Sequence, residues 1–324
     1  MTDLKGKKIW LTWEFQRRNR GLANALGFKL YELDIKASRL LRYIRCLYET
    51  INILISEKPN IVIVQNPSII LTVFGLFARS IFRYKIGVDA HNSGIYPLEG
   101  RLWILVLISV WIQKKADFII VTNEELRKLV NANGGRGLIL PDRLPTPPDK
   151  IQPISLWGRV NIVYICTFSE DEPFREVLKA ANLLPQDMVV YFTGNFRGKI
   201  DEHNVPGNVK LLGYVSEEEY WSFLQSADIV MDLTMRENCL VCGAYEALVL
   251  NKPMILSDTK ALRSYFSTGC IFVKPDYGAI AHGIKEAAIN LPRLKREAQL
   301  LRNEVNKKWN KYFNKVKPYI EALI

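Results

Sequence analysis

The sequence predicts an α/β protein built from two doubly wound parallel sheets. Three observations carry this. Short apolar runs alternate with longer segments of helical apolar spacing along most of the chain. The runs lack the polar alternation of a half-exposed strand: NIVIVQ over 60–65 is the pattern of a strand buried on both faces. The alternation stops at a proline-rich stretch and then begins again.

In the first half, strands are predicted over 8–13, 28–33, 60–65, 84–89 and 118–121. Helices are predicted between them over 17–26, 38–56, 68–82 and 98–115. The helix at 38–56 rests on the spacing of Leu40, Leu41, Ile44, Leu47, Tyr48, Ile51, Leu54 and Ile55. Asn66-Pro67 punctuates the third strand. Pro141, Pro145, Pro147, Pro148 and Pro153 then fall within 13 residues without periodicity, which reads as a linker. In the second half, strands are predicted over 160–166, 188–193, 208–212, 229–233, 253–257 and 271–273, with helices over 173–182, 217–226 and 242–250. Polar helices finish the chain. The expected division is a first domain over 1–142, a linker over 143–157, a second domain over 158–300 and a last helix over 301–324. Ligands of parallel sheets bind beyond the carboxyl ends of the strands, so two such domains predict a cleft between them.

The 324 residues suffice for two domains of ~150 residues each. With 48% hydrophobic and 24% charged residues the chain has the composition of a folded protein, not of a disordered or repetitive one. Its net charge of +11 favours anionic partners: nucleic acid, anionic lipid or phosphorylated small molecules. No helix-turn-helix, zinc-finger or aromatic RNA motif is present, which makes nucleic acid the least favoured of these. Five scattered cysteines form no disulfide framework and fit a reducing cytoplasm. The amino-terminal segment MTDLKGKKIW has no apolar core of a secretory leader. The longest apolar run, LWILVLISVWI over 102–112, is too short to span a bilayer.

The densest chemistry lies over 227–258, ADIVMDLTMRENCLVCGAYEALVLNKPMILSD. A strand ends in DLT, a polar loop follows, and a helix opens at Val241, Cys242 and Gly243. The unsatisfied N–H groups and positive dipole of a helix start suit a diphosphate. Gly243 is expected to let a ligand approach the backbone closely. Glu246, one turn into the helix, is placed to accept hydrogen bonds from a ribose, and Glu237 in the loop to sit beside a sugar. Cys239 and Cys242 have the spacing of a metal pair. No second pair accompanies them, so they are read as small residues at a tight junction.

These residues resemble the signature of retaining GT-B glycosyltransferases of the large family-4-like group. That signature has a Glu, seven residues, a second Glu followed by Ala, then a Gly/Asn-x-Pro-hydrophobic strand ending near Ser or Thr. Glu246-Ala247 and Asn251-Lys252-Pro253-Met254-Ile255-Leu256-Ser257 match its second half. Phe192-Thr193-Gly194, Leu212-Gly213-Tyr214-Val215-Ser216 and Ser226-Ala227-Asp228 agree as well, so the resemblance covers about residues 160–275. In the first half it rests on the element pattern and on Asp89-Ala90-His91.

The resemblance implies the GT-B fold, two Rossmann-like domains facing a cleft, with the last helix packing back on the first domain. It implies transfer of a sugar from a nucleotide-sugar donor to a glycan or lipid-linked acceptor, with no metal and no cofactor. The acceptor side falls to the first domain. Donor contacts fall to Gly194, Val215, Arg236, Val241, Cys242, Gly243 and Glu246, with Glu237 or Asn238 at the sugar. A catalytically silent GT-B subunit and a sugar-nucleotide epimerase are the alternative readings. The chain departs from the pattern in three places. Eight positions before Glu246 stands Asn238, with Glu237 one position early. The run Thr167-Phe168-Ser169-Glu170-Asp171-Glu172 lacks the Arg and Lys that the family places there, leaving Arg175 or Arg236 to substitute. The glycine-rich turn after the first strand is replaced by Glu14-Phe15-Gln16-Arg17-Arg18-Asn19-Arg20.

In such a transfer, negative charge grows on the leaving diphosphate and must be stabilised where it develops. The amides of Val241, Cys242 and Gly243, with Arg236, are the candidates. His91 follows a strand whose residues 89 and 91 share a face, so Asp89 can orient it toward the transferred sugar or the acceptor. Arg17, Arg18 and Arg20 stand at a helix start, where positive charge opposes the dipole. They read either as a solvated basic turn or, the favoured reading, as a phosphate site. The apolar segments 69–82 and 102–112 end in Arg79, Arg83, Lys114 and Lys115. They read as core, or as a surface resting on the inner leaflet of a membrane, which places the protein in the cytoplasm with a peripheral membrane role.

Overall fold

The computed structural model describes residues 6–324; residues 1–5, the head of the segment read for a leader, lie outside the described part. The chain forms two compact units, Met1–Arg143 with Trp309–Ile324, and Leu144–Lys308.

In the first unit the strands are β1 (Lys8–Thr12), β2 (Lys29–Glu32), β3 (Ile61–Asn66), β4 (Lys85–Ala90), β5 (Phe118–Val121) and β6 (Gly137–Ile139). The helices are α1 (Arg17–Leu26), α2 (Arg39–Glu57), α3 (Ile69–Phe82), α4 (Asn92–Ile95), α5 (Trp103–Lys115) and α6 (Glu124–Ala132). The strands run parallel in the order β2-β1-β3-β4-β5-β6. All six residues of β3 are buried, because helices cover both faces of the sheet. Residues of α2, α3, α5 and α6 share one core with Val62, Val64, Ile86 and Val88. Leu22, Ala23 and Leu26 of α1 fill the other face with Ile61, Ile63 and Ile120.

The helix expected over 98–115 starts only at Trp103. Leu98 and Glu99 have φ of 48° and 51°, a left-handed conformation that an α-helix excludes, and they form a separate turn over Pro97–Gly100. The segments α6 and β6 were not anticipated. They hold nine and three residues, shorter than the window in which periodicity becomes readable.

In the second unit the strands are β7 (Val160–Tyr164), β8 (Met188–Thr193), β9 (Val209–Gly213), β10 (Ile229–Asp232), β11 (Met254–Ser257) and β12 (Cys270–Val273). The helices are α7 (Phe174–Ala181), α8 (Glu217–Ser226), α9 (Cys242–Val249), α10 (Lys260–Tyr265), α11 (Tyr277–Ile289) and α12 (Leu291–Glu321). The order is β12-β11-β10-β7-β8-β9, again parallel. One face is filled by α7 and α11, through Phe174, Val177, Ile280 and Ile284. The other is filled by α8, α9 and α10, through Trp221, Leu224, Leu248 and Leu262. Helix α8 opens on a capping box, Ser216 and Glu219 each accepting from the other's backbone N–H.

The proline-rich segment is laid on the second unit. Leu144, Ile151 and Leu156 pack against its core, and the Ile154 and Trp157 amides donate to Ser226 Oγ and the Tyr191 hydroxyl. The last helix begins at Leu291, ahead of the expected 301. Its Ala298, Leu301 and Val305 belong to the core of the second unit, and Trp309, Val316 and Ile320 to that of the first. Trp309 is buried, stacks on Phe313 at 4.8 Å and donates its indole N–H to the Pro141 carbonyl at 3.1 Å. Trp309→Ala removes both the packing and the donor. It is expected to lower the unfolding free energy of the first unit by ~3–5 kcal/mol, measured by urea denaturation.

Candidate functional site

In each sheet the chain order reverses at one point, between β1 and β3 in the first and between β7 and β10 in the second. The loops leaving the carboxyl ends of such strands diverge to opposite faces and open a crevice. In the second unit these are the loop after β7 and the loop from β10 into α9, which together contain Glu172, Arg236, Glu237 and Asn238.

Asp232 ends β10 in a buried position, and its Oδ2 accepts the Gly243 N–H at 2.8 Å. A Cβ on Gly243 would lie 2.4 Å from Ile165 Cδ1 and 2.5 Å from Asp232 Oδ2. Position 243 is therefore glycine because α9 is pressed onto the strand ends. The close approach expected from a ligand is made by the protein itself, and one of the three amides assigned to the diphosphate is engaged inside the fold. Val241 is buried and Cys242, the first residue of α9, is exposed. Glu246 is buried and accepts a hydrogen bond from the Tyr220 hydroxyl. Burial pushes the Asp232 carboxyl well above the usual carboxylate range. The Gly243 hydrogen bond pulls the other way, and Glu172, Glu246 and Asp171 add to the rise.

The loop after β7 is closed by an acid. Glu172 accepts from the Thr167 N–H at 2.9 Å, the Ser169 N–H at 3.0 Å and the Thr167 hydroxyl at 3.1 Å, wrapping the chain around its carboxylate. Phe168 at the bend has φ 59°. Asp171 joins this loop to the next. It accepts from the Thr234 hydroxyl at 3.1 Å and pairs with Arg236 at 3.3 Å, while its carbonyl takes the Met235 N–H at 2.7 Å. Arg236, assigned to the donor diphosphate, is thus partnered by Asp171. Arg175 is exposed and lies over the Phe174 ring at 4.6 Å. Glu237 is exposed, and its Oε1 accepts the Lys260 N–H at 2.8 Å, at the start of α10. Asn238 and Cys239 are half-buried beside it. Gly194 follows β8 at φ 87°, where a Cβ would meet the Cys166 carbonyl at 2.1 Å, so the close approach of these loops excludes a side chain there. Val215 is half-buried just ahead of α8.

In the first unit Arg18 is buried. It reaches Asp89 with Nε at 3.1 Å and Nη2 at 2.8 Å, gives Nη2 also to the Leu140 carbonyl at 2.9 Å, and pairs through Nη1 with Asp142. Burial opposes its charge, but Asp89 and then Asp142 outweigh this and raise its pKa. The guanidinium expected to meet a phosphate is paired here with two carboxylates of the same unit. Asp89, expected to orient His91, is hydrogen-bonded to Arg18. Arg20 pairs with Glu32 at 2.7 Å and covers the Phe15 ring; Arg17 is exposed. His91 is half-buried at the start of α4, and its Nε2 is shielded from solvent without a hydrogen-bond partner. Burial lowers its pKa, with Asp89 pulling upward. A network the sequence did not reveal lies at the β1–β3 reversal. Thr12 donates to Gln65 at 2.6 Å, and Gln65 and Gln16 both donate to Glu14, at 2.7 and 2.8 Å.

Two parallel six-stranded sheets with these loop positions define the fold of the GT-B glycosyltransferases. Residues 158–304, within the second unit, match the family model of glycosyl transferases group 1. Among solved structures the chain is similar to the sucrose-phosphate synthase of Thermosynechococcus elongatus, with TM-score 0.74, 15% identity, 91% of this chain covered and 83% of that one. It is similar to Anabaena HepE in complex with UDP, with TM-score 0.71, 11% identity, and 98% and 100% covered. It also resembles a putative UDP-N-acetylglucosamine 2-epimerase of Listeria monocytogenes, with TM-score 0.60, 13% identity and 97% of each chain covered. No curated protein sequence matches the chain.

Glu172, Asp171, Asp232 and Tyr220 carry the geometry of the second crevice, and only their residue types were visible in the sequence. Asp232 yields a test. A carboxyl whose pKa is raised in the fold holds a proton that the unfolded chain releases. Its contribution to stability is full below the unfolded value of ~3.9 and is lost as pH rises through the folded one. Asp232→Asn keeps an acceptor for the Gly243 N–H and has no charge to bury. The variant is expected to be the more stable chain at neutral pH and to lack this loss, as read by thermal denaturation across the acid-to-neutral range.

Proposed function

We propose that this chain transfers a sugar from a nucleotide-diphosphate sugar to a glycan or lipid-linked acceptor, with retention of configuration and without a metal. The observation that carries the reading is the match of residues 158–304 to glycosyl transferases group 1. The complex of HepE with UDP makes uridine diphosphate the first nucleotide to test. Glu246 receives the ribose hydroxyls, exchanging the Tyr220 hydrogen bond for theirs. The Cys242 amide, at the exposed first position of α9, meets the diphosphate in the field of the helix dipole. In the first unit, the unpartnered Nε2 of His91 serves the acceptor side.

A thermal-shift panel of nucleotides and nucleotide sugars reads binding directly, because a ligand selective for the native state raises its stability by mass action. UDP or a UDP-sugar is expected to raise the melting temperature. Glu246→Ala is expected to weaken that ligand by about ten-fold, ~1.4 kcal/mol, with the fold intact. An unchanged response in Glu246→Ala removes the ribose assignment.

The sugar contact is decided by turnover. Glu237 is anchored by the Lys260 N–H, and Asn238 has the family spacing to Glu246. A contact made in the transition state lowers kcat more than it raises KM, and a 10²-fold loss corresponds to ~2.7 kcal/mol. The proposal for Glu237 expects that loss in Glu237→Gln; its appearance only in Asn238→Ala assigns the contact to Asn238. One observation favours a second reading, that of a catalytically silent subunit: the loop after β7 presents Glu172 where the family carries basic residues. Nucleotide binding without hydrolysis or transfer from any donor would support that reading.

A further inference from the structure

Helix α2 carries apolar residues around much of its circumference. Only Cys46, Thr50 and Leu54 are buried. Leu40, Ile44, Tyr48, Ile51 and Ile55 are exposed, Leu40 by 73%. At ~100° per residue these five fall within an arc of ~80°, so they form one stripe along the outer side of the helix. The stripe is repeated on the neighbouring helices of the same layer. On α3 it is Ile70, Phe77 and Ile81, the last exposed by 77%, and on α5 it is Trp103 and Leu107. Phe77 and Trp111 are in ring contact at 5.7 Å, which joins the α3 and α5 stripes.

The charges around this layer are mostly positive, with Glu49 of α2 and Asp117 after α5 as the exceptions. On α2 Arg45 stands nearest the stripe, ~60° from its edge, with Arg39 and Arg42 farther round the helix; Arg79, near the end of α3, pairs with Asp117 at 3.7 Å, and Lys114 and Lys115 end α5. Helices α3 and α5 contain no acid. Of the two in α2, Glu57 is tied to Lys29 at 2.7 Å. An apolar surface spread over three helices and fringed by cations matches an anionic bilayer, whose headgroups attract the fringe while its acyl boundary takes the stripes. Trp103 and Tyr48 are of the residue types that settle at that boundary. No helix among the described residues is long and apolar enough to cross a membrane.

We propose that the outer face of α2, α3 and α5 seats on an anionic lipid surface, with the apolar stripes entering the headgroup boundary and the flanking arginines and lysines meeting lipid phosphates. It deepens the functional reading only on the acceptor side, by giving a lipid-linked acceptor a place of approach. Vesicle binding without donor tests it independently of transfer.

The test is flotation of the full chain with vesicles of phosphatidylcholine and phosphatidylglycerol, and with phosphatidylcholine alone. Binding is expected on the mixed vesicles, about ten-fold weaker on the neutral ones, and reduced by salt. Ile44→Glu and Phe77→Glu change exposed positions. Each is expected to weaken vesicle binding by at least about ten-fold with an unchanged melting temperature. Ile289→Glu, exposed in the second unit, is expected to bind as the parent does. No binding to mixed vesicles at low salt, or undiminished binding by both stripe variants, overturns the proposal. So does a lipid-free dimer that Phe77→Glu dissociates, which would give this face to a second copy of the chain.

Discussion

A parallel strand covered by helices on both sides has no face left for polar chemistry. This constraint arranges everything else in the molecule. Strand β3 is buried over its whole length, and its polar residues, Gln65 and Asn66, come only at the carboxyl end. Strand β10 is apolar until Asp232, and β4, after the exposed Lys85 that opens it, until Asp89 near its end. Polar side chains are thereby collected along one edge of each sheet, and most sharply where neighbouring strands send their loops in opposite directions.

Polar groups gathered at a buried edge must find partners, since an isolated buried charge costs far more than folding can supply. The partners here come from the chain itself. Arg18 is enclosed by Asp89, Asp142 and the Leu140 carbonyl, which ties the turn after β1 to the strand β4 and to the segment after β6. Asp232 holds the start of α9 through Gly243, and Asp171 holds the β10 loop through Thr234 and Arg236. Each is a local closure that sets the position of a loop before any substrate arrives.

This explains which parts of the molecule were legible in the sequence. Strand positions were readable because burial on both faces leaves a continuous apolar run, as over 188–193, where prediction and strand coincide. Glu246 was readable because its place one turn into a helix follows from local spacing. The roles of Arg18 and Gly243 were not. The partners of Arg18 lie 71 and 124 positions away, and no local pattern announces them. A glycine shows that space is needed near the backbone, but not whether a ligand or a neighbouring carboxylate fills it. The outer stripe of α2 was not announced either, for another reason. Periodicity shows that a helix has an apolar side, and a helix apolar over most of its circumference leaves open which side faces the sheet.

The Glu172 carboxylate, held by the Thr167 and Ser169 amides, makes the loop after β7 a site already filled by a tethered anion. A group attached through a short segment competes at an effective concentration in the ~mM range. A dilute inorganic anion therefore does not displace it. The tether keeps the amides of this loop occupied by the chain's own carboxylate.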